Sequence, residues 1–213
     1  MTIPAVPATS TIDRELKVGH VSFDGVTPRL LGELTDYAAF TKELSSKNDE
    51  RTPVLVIDVK GLQRKTINDV LLKNFKIRGM QIWLMTYIES VDDIFDAFNT
   101  DADFVLMPYH AIRSDSELHD ILSISDASIP ALFVRDGMVV GKKGKEELTA
   151  TVDKLAGIGY TTVMVFDMTG NLKKENWSAI SSRARILPYV GDRKDIAASL
   201  KDMGFENVFI YAL

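Results

Sequence analysis

The chain contains no cysteine, which excludes disulfides, thiolate metal ligands and thiol nucleophiles. Histidine is scarce: His20, His110 and His119 are the three present. They are dispersed, and no His/Asp/Glu cluster has metal-ligand spacing, so no metal centre and no cofactor are expected. Positive charge is not in excess either. Lysine plus arginine number 25 against 30 for aspartate plus glutamate, a net charge of −5. A non-specific nucleic-acid binder needs a basic stripe to displace counterions, and none is present. No run approaches the roughly 20 apolar residues of a membrane span. The stretch Met1 to Ser10 is small, apolar and proline-bearing, without the cationic start and continuous apolar run of a signal peptide. A cytoplasmic location, with no nucleic-acid and no membrane partner, is the expectation.

Apolar mass is plentiful. Hydrophobic residues make up 46% of the 213-residue chain and charged residues 26%, enough for a core within one domain spanning residues 1–213. The apolar residues fall into short runs. Val54-Leu55-Val56-Ile57 follows Pro53, and Ile82-Trp83-Leu84-Met85, Phe104-Val105-Leu106-Met107 and Ala131-Leu132-Phe133-Val134 come next. Thr162-Val163-Met164-Val165-Phe166, Ile186-Leu187 and Val208-Phe209-Ile210 complete the series. Runs without polar alternation suit a parallel sheet covered by helices on its outer side.

Stretches of helical period lie between them. Tyr37, Phe40 and Leu44 suggest the first helix, and Asn68 to Ile77, ended by Gly79, the second. Ser90 with Asp93, and Ser114 with Glu117, are capping signatures ahead of Ile94 and Leu118. Leu148, Val152 and Leu155 form a stripe closed by Gly157 and Gly159. Lys174 to Ser182 surrounds Trp177, and Ile196, Leu200 and Met203 stop at Gly204. A first strand around His20 to Phe23 brings the count to eight strands with seven helices between them. Strict alternation means a parallel sheet, and eight units favour an α/β fold closed as a (β/α)8 TIM barrel without a standard final helix. Either the segment Met1 to Leu16 covers the uncapped end or a second copy of the chain does. A loose N-terminal segment and a homo-oligomer are both open expectations.

Several strand ends carry a resemblance. Val56-Ile57-Asp58-Val59-Lys60-Gly61 resembles the second-strand motif of ProFAR isomerases and their cyclase relatives. Leu132-Phe133-Val134-Arg135-Asp136-Gly137, followed by Met138-Val139-Val140, resembles their fifth strand and its short hairpin. Val165-Phe166-Asp167-Met168 resembles the sixth, and Phe209-Ile210-Tyr211-Ala212-Leu213 the closing run. The order is right over residues 20–213. The resemblance implies a ProFAR isomerase-like TIM barrel, in a diverged subgroup. It implies acid–base aspartates at the ends of strands one and five, and twin phosphates held by glycine turns. The departures are specific. Phe133 stands at the fifth-strand aspartate, and a phenyl ring transfers no proton. The first-strand position falls near Ser22 or Asp24. The glycine turns read Met85-Thr86-Tyr87, Pro108-Tyr109 and Tyr189-Val190-Gly191, keeping Gly191, and the eighth-strand glycine is Tyr211. Without glycine, backbone N–H groups cannot approach phosphate closely.

In a barrel of this kind functional groups sit where strands end. Those positions give Asp24, Asp58, Lys60, Thr86, Tyr87, Tyr109, His110, Asp167, Tyr189 and Gly191. Asp58, Lys60 and Asp167 are the catalytic candidates and the others ligand-binding candidates. Asp58 and Lys60, two apart on one strand, would share a face. Pointing inward, they form a carboxylate–ammonium pair in which Lys60 is a base or an imine-forming amine; otherwise they are a structural salt bridge. Asp167 is either a second acid or base, or the cap of the turn Thr169-Gly170-Asn171. Tyr87, Tyr109, Tyr189 and Tyr211 either line an aromatic cavity for a ring-containing small molecule or plug the mouth. His110 with Arg113 binds an anion, shuttles a proton, or is a solvated loop pair. The run Gly141 to Lys145 is glycine-bearing and basic but lacks the Walker spacing, as a flexible solvated loop would. Three functions follow as expectations. One is a small-metabolite enzyme, isomerase- or lyase-like, which the resemblance associates with one-carbon and pterin-type cofactor biosynthesis. The others are a non-catalytic ligand- or partner-binding barrel and the standard phosphoribosyl isomerase of histidine biosynthesis.

Overall fold

A computed structural model describes residues 1–47, 52–100 and 102–212. Eight parallel strands close into a barrel in the order β1 (Thr2–Ser10), β4 (Pro53–Asp58), β5 (Gln81–Met85), β6 (Phe104–Pro108), β7 (Ser128–Arg135), β10 (Thr162–Asp167), β11 (Arg185–Tyr189) and β12 (Val208–Tyr211). Closure is made by β1. Its residues Thr2 to Ala5 pair with Val208 to Tyr211 on one side, and Ala5 to Ala8 pair with Leu55 to Asp58 on the other. Leu213, where the closing run ends in the sequence, lies outside the described residues.

The strands are apolar on both faces because both are buried. On β4, Leu55 and Ile57 point into the barrel, while Val54 and Val56 point out to the helices. The same alternation holds on β10, with Met164 and Phe166 inside and Val163 and Val165 outside. The helices covering the outer face are α1 (Tyr37–Lys47), α2 (Val59–Arg64), α3 (Asp69–Asn74), α4 (Val91–Phe98), α5 (Asp115–Ile124), α6 (Leu148–Ile158), α7 (Lys174–Ser181) and α8 (Lys194–Asp202). No helix among the described residues is long and apolar enough to cross a membrane.

Most capping signatures form. Ser90 and Asp93 make a reciprocal box at α4. At α5 the Ser114 hydroxyl accepts from Glu117 N, but the Glu117 carboxylate does not close the box. It accepts from Val91 N at 3.0 Å, capping the neighbouring helix α4 instead. Gly159 ends α6 in the left-handed region, whereas Gly157 lies inside that helix.

Two expectations are overturned. The first barrel strand is Thr2–Ser10, not His20 to Phe23, so residues 2–10 are built into the sheet rather than loose. His20 to Phe23 belong to β2 (Leu16–Asp24), which turns back from the end of β1 and pairs antiparallel with it and with β3 (Thr27–Asp36). This hairpin lies across the C-terminal mouth, where Val21, Phe23, Val26 and Leu30 pack on the barrel interior. The second crossover holds two short helices, α2 and α3, in place of one. A second hairpin, β8 (Met138–Gly141) and β9 (Gly144–Glu147), follows β7. β7 turns into β8 at Asp136-Gly137, both at positive φ, as the two-residue turns that match strand twist require, and β8 turns into β9 at Lys142-Lys143.

Candidate functional site

The mouth is built from the last inward side chain of each strand. Phe133 on β7 stacks on Phe166 of β10, with centroids 4.8 Å apart and planes at 19°. Phe166 in turn meets Tyr189 of β11 at 4.2 Å, and Tyr189 meets Tyr211 of β12 edge-on at 5.9 Å. From above, Phe23 of the hairpin rests on Phe133 at 5.4 Å and Phe166 at 6.1 Å. Offset and edge-on contacts of this kind add about 0.5–1.5 kcal/mol each beyond burial. The Tyr211 hydroxyl donates to the Val21 carbonyl and ties the hairpin to β12.

Two polar groups in contact with these rings, on His110 and Tyr189, are left unpaired. Among the described residues, the buried side-chain atoms without a hydrogen-bond partner are His110 Nδ1, Thr169 Oγ1, Tyr189 Oη and Trp177 Nε1. The first three lie at the mouth ends of β6, β10 and β11; the fourth is on α7. Tyr189 is 4% exposed, and burial pushes its hydroxyl pKa well above the ordinary value. The neighbouring Tyr211 hydroxyl raises it further. His110 meets the edge of Phe133 at 5.3 Å. Burial, with a smaller push from Lys65, lowers its pKa to about 4, so the ring is neutral at pH 7. A cavity of about 230 Å³ opens between β2 and the ends of β10, β11 and β12. Tyr189, Gly191, Asp192, Arg193, Ser22 and Met168 line it.

Of the carboxylates singled out in the sequence, Asp167 is on the wall of this cavity and Asp58 is not. Ile57 points inward, so Asp58, the next residue, lies on the outer side of β4. It caps α2, accepting from Gly61 N at 2.9 Å, Asn68 Nδ2 at 3.0 Å and Thr86 Oγ1 at 2.8 Å. Asp58 and Thr86 are fully buried. Desolvation raises the Asp58 pKa to about 6 against the lowering pull of those bonds. Lys60 is not on the strand but in α2. Its ammonium donates to the Ser10 carbonyl at 3.0 Å and the Ser10 hydroxyl at 2.8 Å. Asp167 follows the inward Phe166 and is likewise outward. It accepts from Gly170 N at 2.8 Å and Leu172 N at 3.3 Å, capping the turn. Strands β4 and β10 stand four places apart in the eight-strand order, on opposite sides of the barrel. Asp58 and Asp167 therefore do not converge.

The remaining candidates divide. Asp24 is exposed at the hairpin tip, paired with Arg29 at 2.9 Å. Tyr87 is half-buried against the interior, its hydroxyl pKa raised by burial and by Glu89 and Asp93. Tyr109 is outward, donating to Glu146 Oε2 at 2.9 Å and accepting from Lys154 Nζ at 3.1 Å. Gly191 sits at φ +66° on the cavity wall. Arg113 pairs with Glu89 at 3.2 Å. Among the described residues, no group of three or more His, Asp and Glu side chains could hold a metal ion. Phe23, Phe166 and Thr169 were not singled out by sequence. The signal for Phe166 was its place one residue before Asp167, at the inward position. No protein-family model matches the chain, and no curated protein matches its sequence.

Proposed function

We propose that this chain is a diverged (β/α)8 barrel of the ProFAR isomerase-like group that binds a small, ring-containing metabolite under the β2–β3 hairpin. The observation that carries the reading is the Tyr189 hydroxyl, buried, unpaired and on the wall of the cavity, with His110 Nδ1 and Thr169 Oγ1 unpaired at neighbouring strand ends outside that wall. An unpaired buried polar group costs about 1–3 kcal/mol, and a ligand that pairs with it recovers that cost. The aromatic walls at Phe23, Tyr189 and Tyr211 favour a flat ring. The volume of about 230 Å³ lies below the roughly 300 Å³ floor for drug-sized ligands. One small ring system suits it better than a twin-phosphate substrate. A pterin-type or other heteroaromatic compound has the required face and polar edge.

The standard isomerisation is disfavoured because Phe133, at the acid–base position, is packed into the stack and 1% exposed. Asp58 and Asp167 spend their carboxylate oxygens on capping hydrogen bonds. A second reading, that the bound ring is transformed, is favoured by His110 alone. A neutral imidazole near the mouth can accept a hydrogen bond or a proton, with a basicity reduced by burial. Titration calorimetry with pterins, purine nucleosides and sugar phosphates tests the binding. One heteroaromatic class should bind, and Tyr189→Phe should weaken it about tenfold without lowering the melting temperature. No binding by any class, or binding indifferent to Tyr189→Phe and His110→Gln together, would overturn the assignment. Growth of an isomerase-deficient strain carrying this chain would restore the histidine-pathway reading.

A further inference from the structure

A separate cavity of about 210 Å³ lies outside the barrel, between the β1–β2 turn and the segment joining α2 to α3. Arg14, Lys60 and Arg64 line it, against a single carboxylate, Asp69. In a chain of net charge −5 this is a local inversion of sign. Among the described residues, neither Arg14 nor Arg64 has an ion-pair partner. Lys60 donates only to the neutral oxygens of Ser10, at 2.8 and 3.0 Å, and an ammonium has three protons to give. One remains for a ligand.

The site is built from beneath rather than left as loose surface lysines. Ser10 and Asn68, 5% and 7% exposed, form a relay behind Lys60. The Ser10 hydroxyl donates to Asn68 Oδ1 at 3.2 Å, and Asn68 donates to the buried Asp58 at 3.0 Å. The relay fixes the Lys60 ammonium at the cavity wall. Arg14 is held by a turn in which its N–H donates to the Thr11 carbonyl at 3.3 Å and Thr11 N donates to the Glu15 carbonyl at 2.9 Å. Its φ of +63° is a conformation that non-glycine residues adopt at a cost. The apolar side chains Ile67 and Val70 complete the lining beside the Thr66 hydroxyl.

We infer that Arg14, Lys60 and Arg64 bind the phosphate group of a small phosphomonoester. Forked guanidinium donors match phosphate geometry, and Ile67 with Val70 offers contact to a short carbon chain that a free anion lacks. This site is independent of the aromatic mouth. Titration calorimetry at low ionic strength, with glycerol 3-phosphate and inorganic phosphate as probes, tests it. The ester is expected to bind and inorganic phosphate to bind more weakly. Arg14→Gln and Arg64→Gln should each weaken the ester about tenfold, in line with about 1.4 kcal/mol for a lost charge-assisted bond. Both arginines are exposed, so the variants should melt with the parent. Tyr189→Phe and Lys143→Gln should leave ester binding unchanged, which separates this site from the mouth and from the β8–β9 turn. Failure of both probes to bind, or equal binding by the double arginine variant, overturns the site. Inorganic phosphate binding as tightly as the ester overturns the ester assignment.

Discussion

Replacing Asp58 by asparagine should change how stability depends on pH, because two buried groups oppose each other in the native protein. The Asp58 carboxyl titrates at about 6 in the fold, against 3.8 when free. The native state keeps a proton that the unfolded chain releases. The contribution of Asp58 to stability is full below pH 3.8 and is lost as pH rises through 6. At about 1.36 kcal/mol per pH unit, that interval amounts to about 3 kcal/mol. His110 runs the other way. Its folded value of about 4 lies below the free 6.5, so the unfolded chain binds a proton that the native state refuses. Its stabilisation is full above pH 6.5 and is lost as pH falls to 4, again by about 3 kcal/mol. The two slopes cancel, leaving the contribution of this pair nearly flat between pH 4 and 6. Asp58→Asn keeps an oxygen for Gly61 N and an amide that can donate to Thr86, so the fold should persist. Urea unfolding followed by the fluorescence of the buried Trp83 and Trp177 gives stability at each pH. Surface groups drop out of the difference between variant and parent. Relative to the parent, Asp58→Asn should gain about 3 kcal/mol between pH 4 and pH 7, and His110→Gln should lose a similar amount. A difference for Asp58→Asn that is constant with pH would mean that burial does not raise this carboxyl, and the reasoning would fail.

Four other changes probe packing. Tyr189→Phe removes a buried, unpaired hydroxyl and should stabilise the ligand-free protein by about 1–2 kcal/mol, raising the melting temperature by a few degrees; destabilisation would mean that the hydroxyl already has a partner. Phe133→Asp would bury a carboxylate between Phe166 and Phe23 and should cost at least about 3 kcal/mol by urea unfolding, rather than restore isomerase activity. Gly61→Ala would place a methyl group 2.1 Å from the Asp58 carboxylate and 3.0 Å from the Thr66 carbonyl, costing about 2–3 kcal/mol. Gly157→Ala, inside α6 with nothing within 4 Å, should instead stabilise by about 0.5–1 kcal/mol in the same melts.

Seven of the eight barrel strands are legible as apolar runs because each is buried on both faces, and that leaves composition as the signal. The missing one is β1. Thr2 to Ser10 carries Pro4 and Pro7, each of which removes a donor from the ladder, and the local rule against proline in a central strand reads it as coil. Closure overrides that rule: small residues such as Ala5 and Ala8 let the strand pack between β12 and β4. His20 to Phe23 is a strand as expected, but its neighbours are antiparallel, and no local pattern reveals which partner a strand takes. The positions of Asp58 and Asp167 were legible and their direction was not. Direction follows from alternation only once the inward face is known, and Ile57 and Phe166 fix it. Lys60 was carried past the strand end because the helix α2 begins at Val59 with no sequence cap other than Asp58 itself. Of the four tyrosines, Tyr189 and Tyr211 meet at the mouth while Tyr109 faces outward, a division that only the inward register of each strand decides.

The pairing of Thr2–Ala5 with Val208–Tyr211 has a bearing on how the protein is made. A ribosome delivers β1 before the other barrel strands and β12 after them, so the seam of the barrel waits until all eight have emerged. Contacts so distant along the chain are slow to form. Until then β1 has β4 on one flank and an unpaired edge on the other, where strand-to-strand association between nascent copies can compete. The prolines that hide this strand from inspection also blunt that edge while it waits.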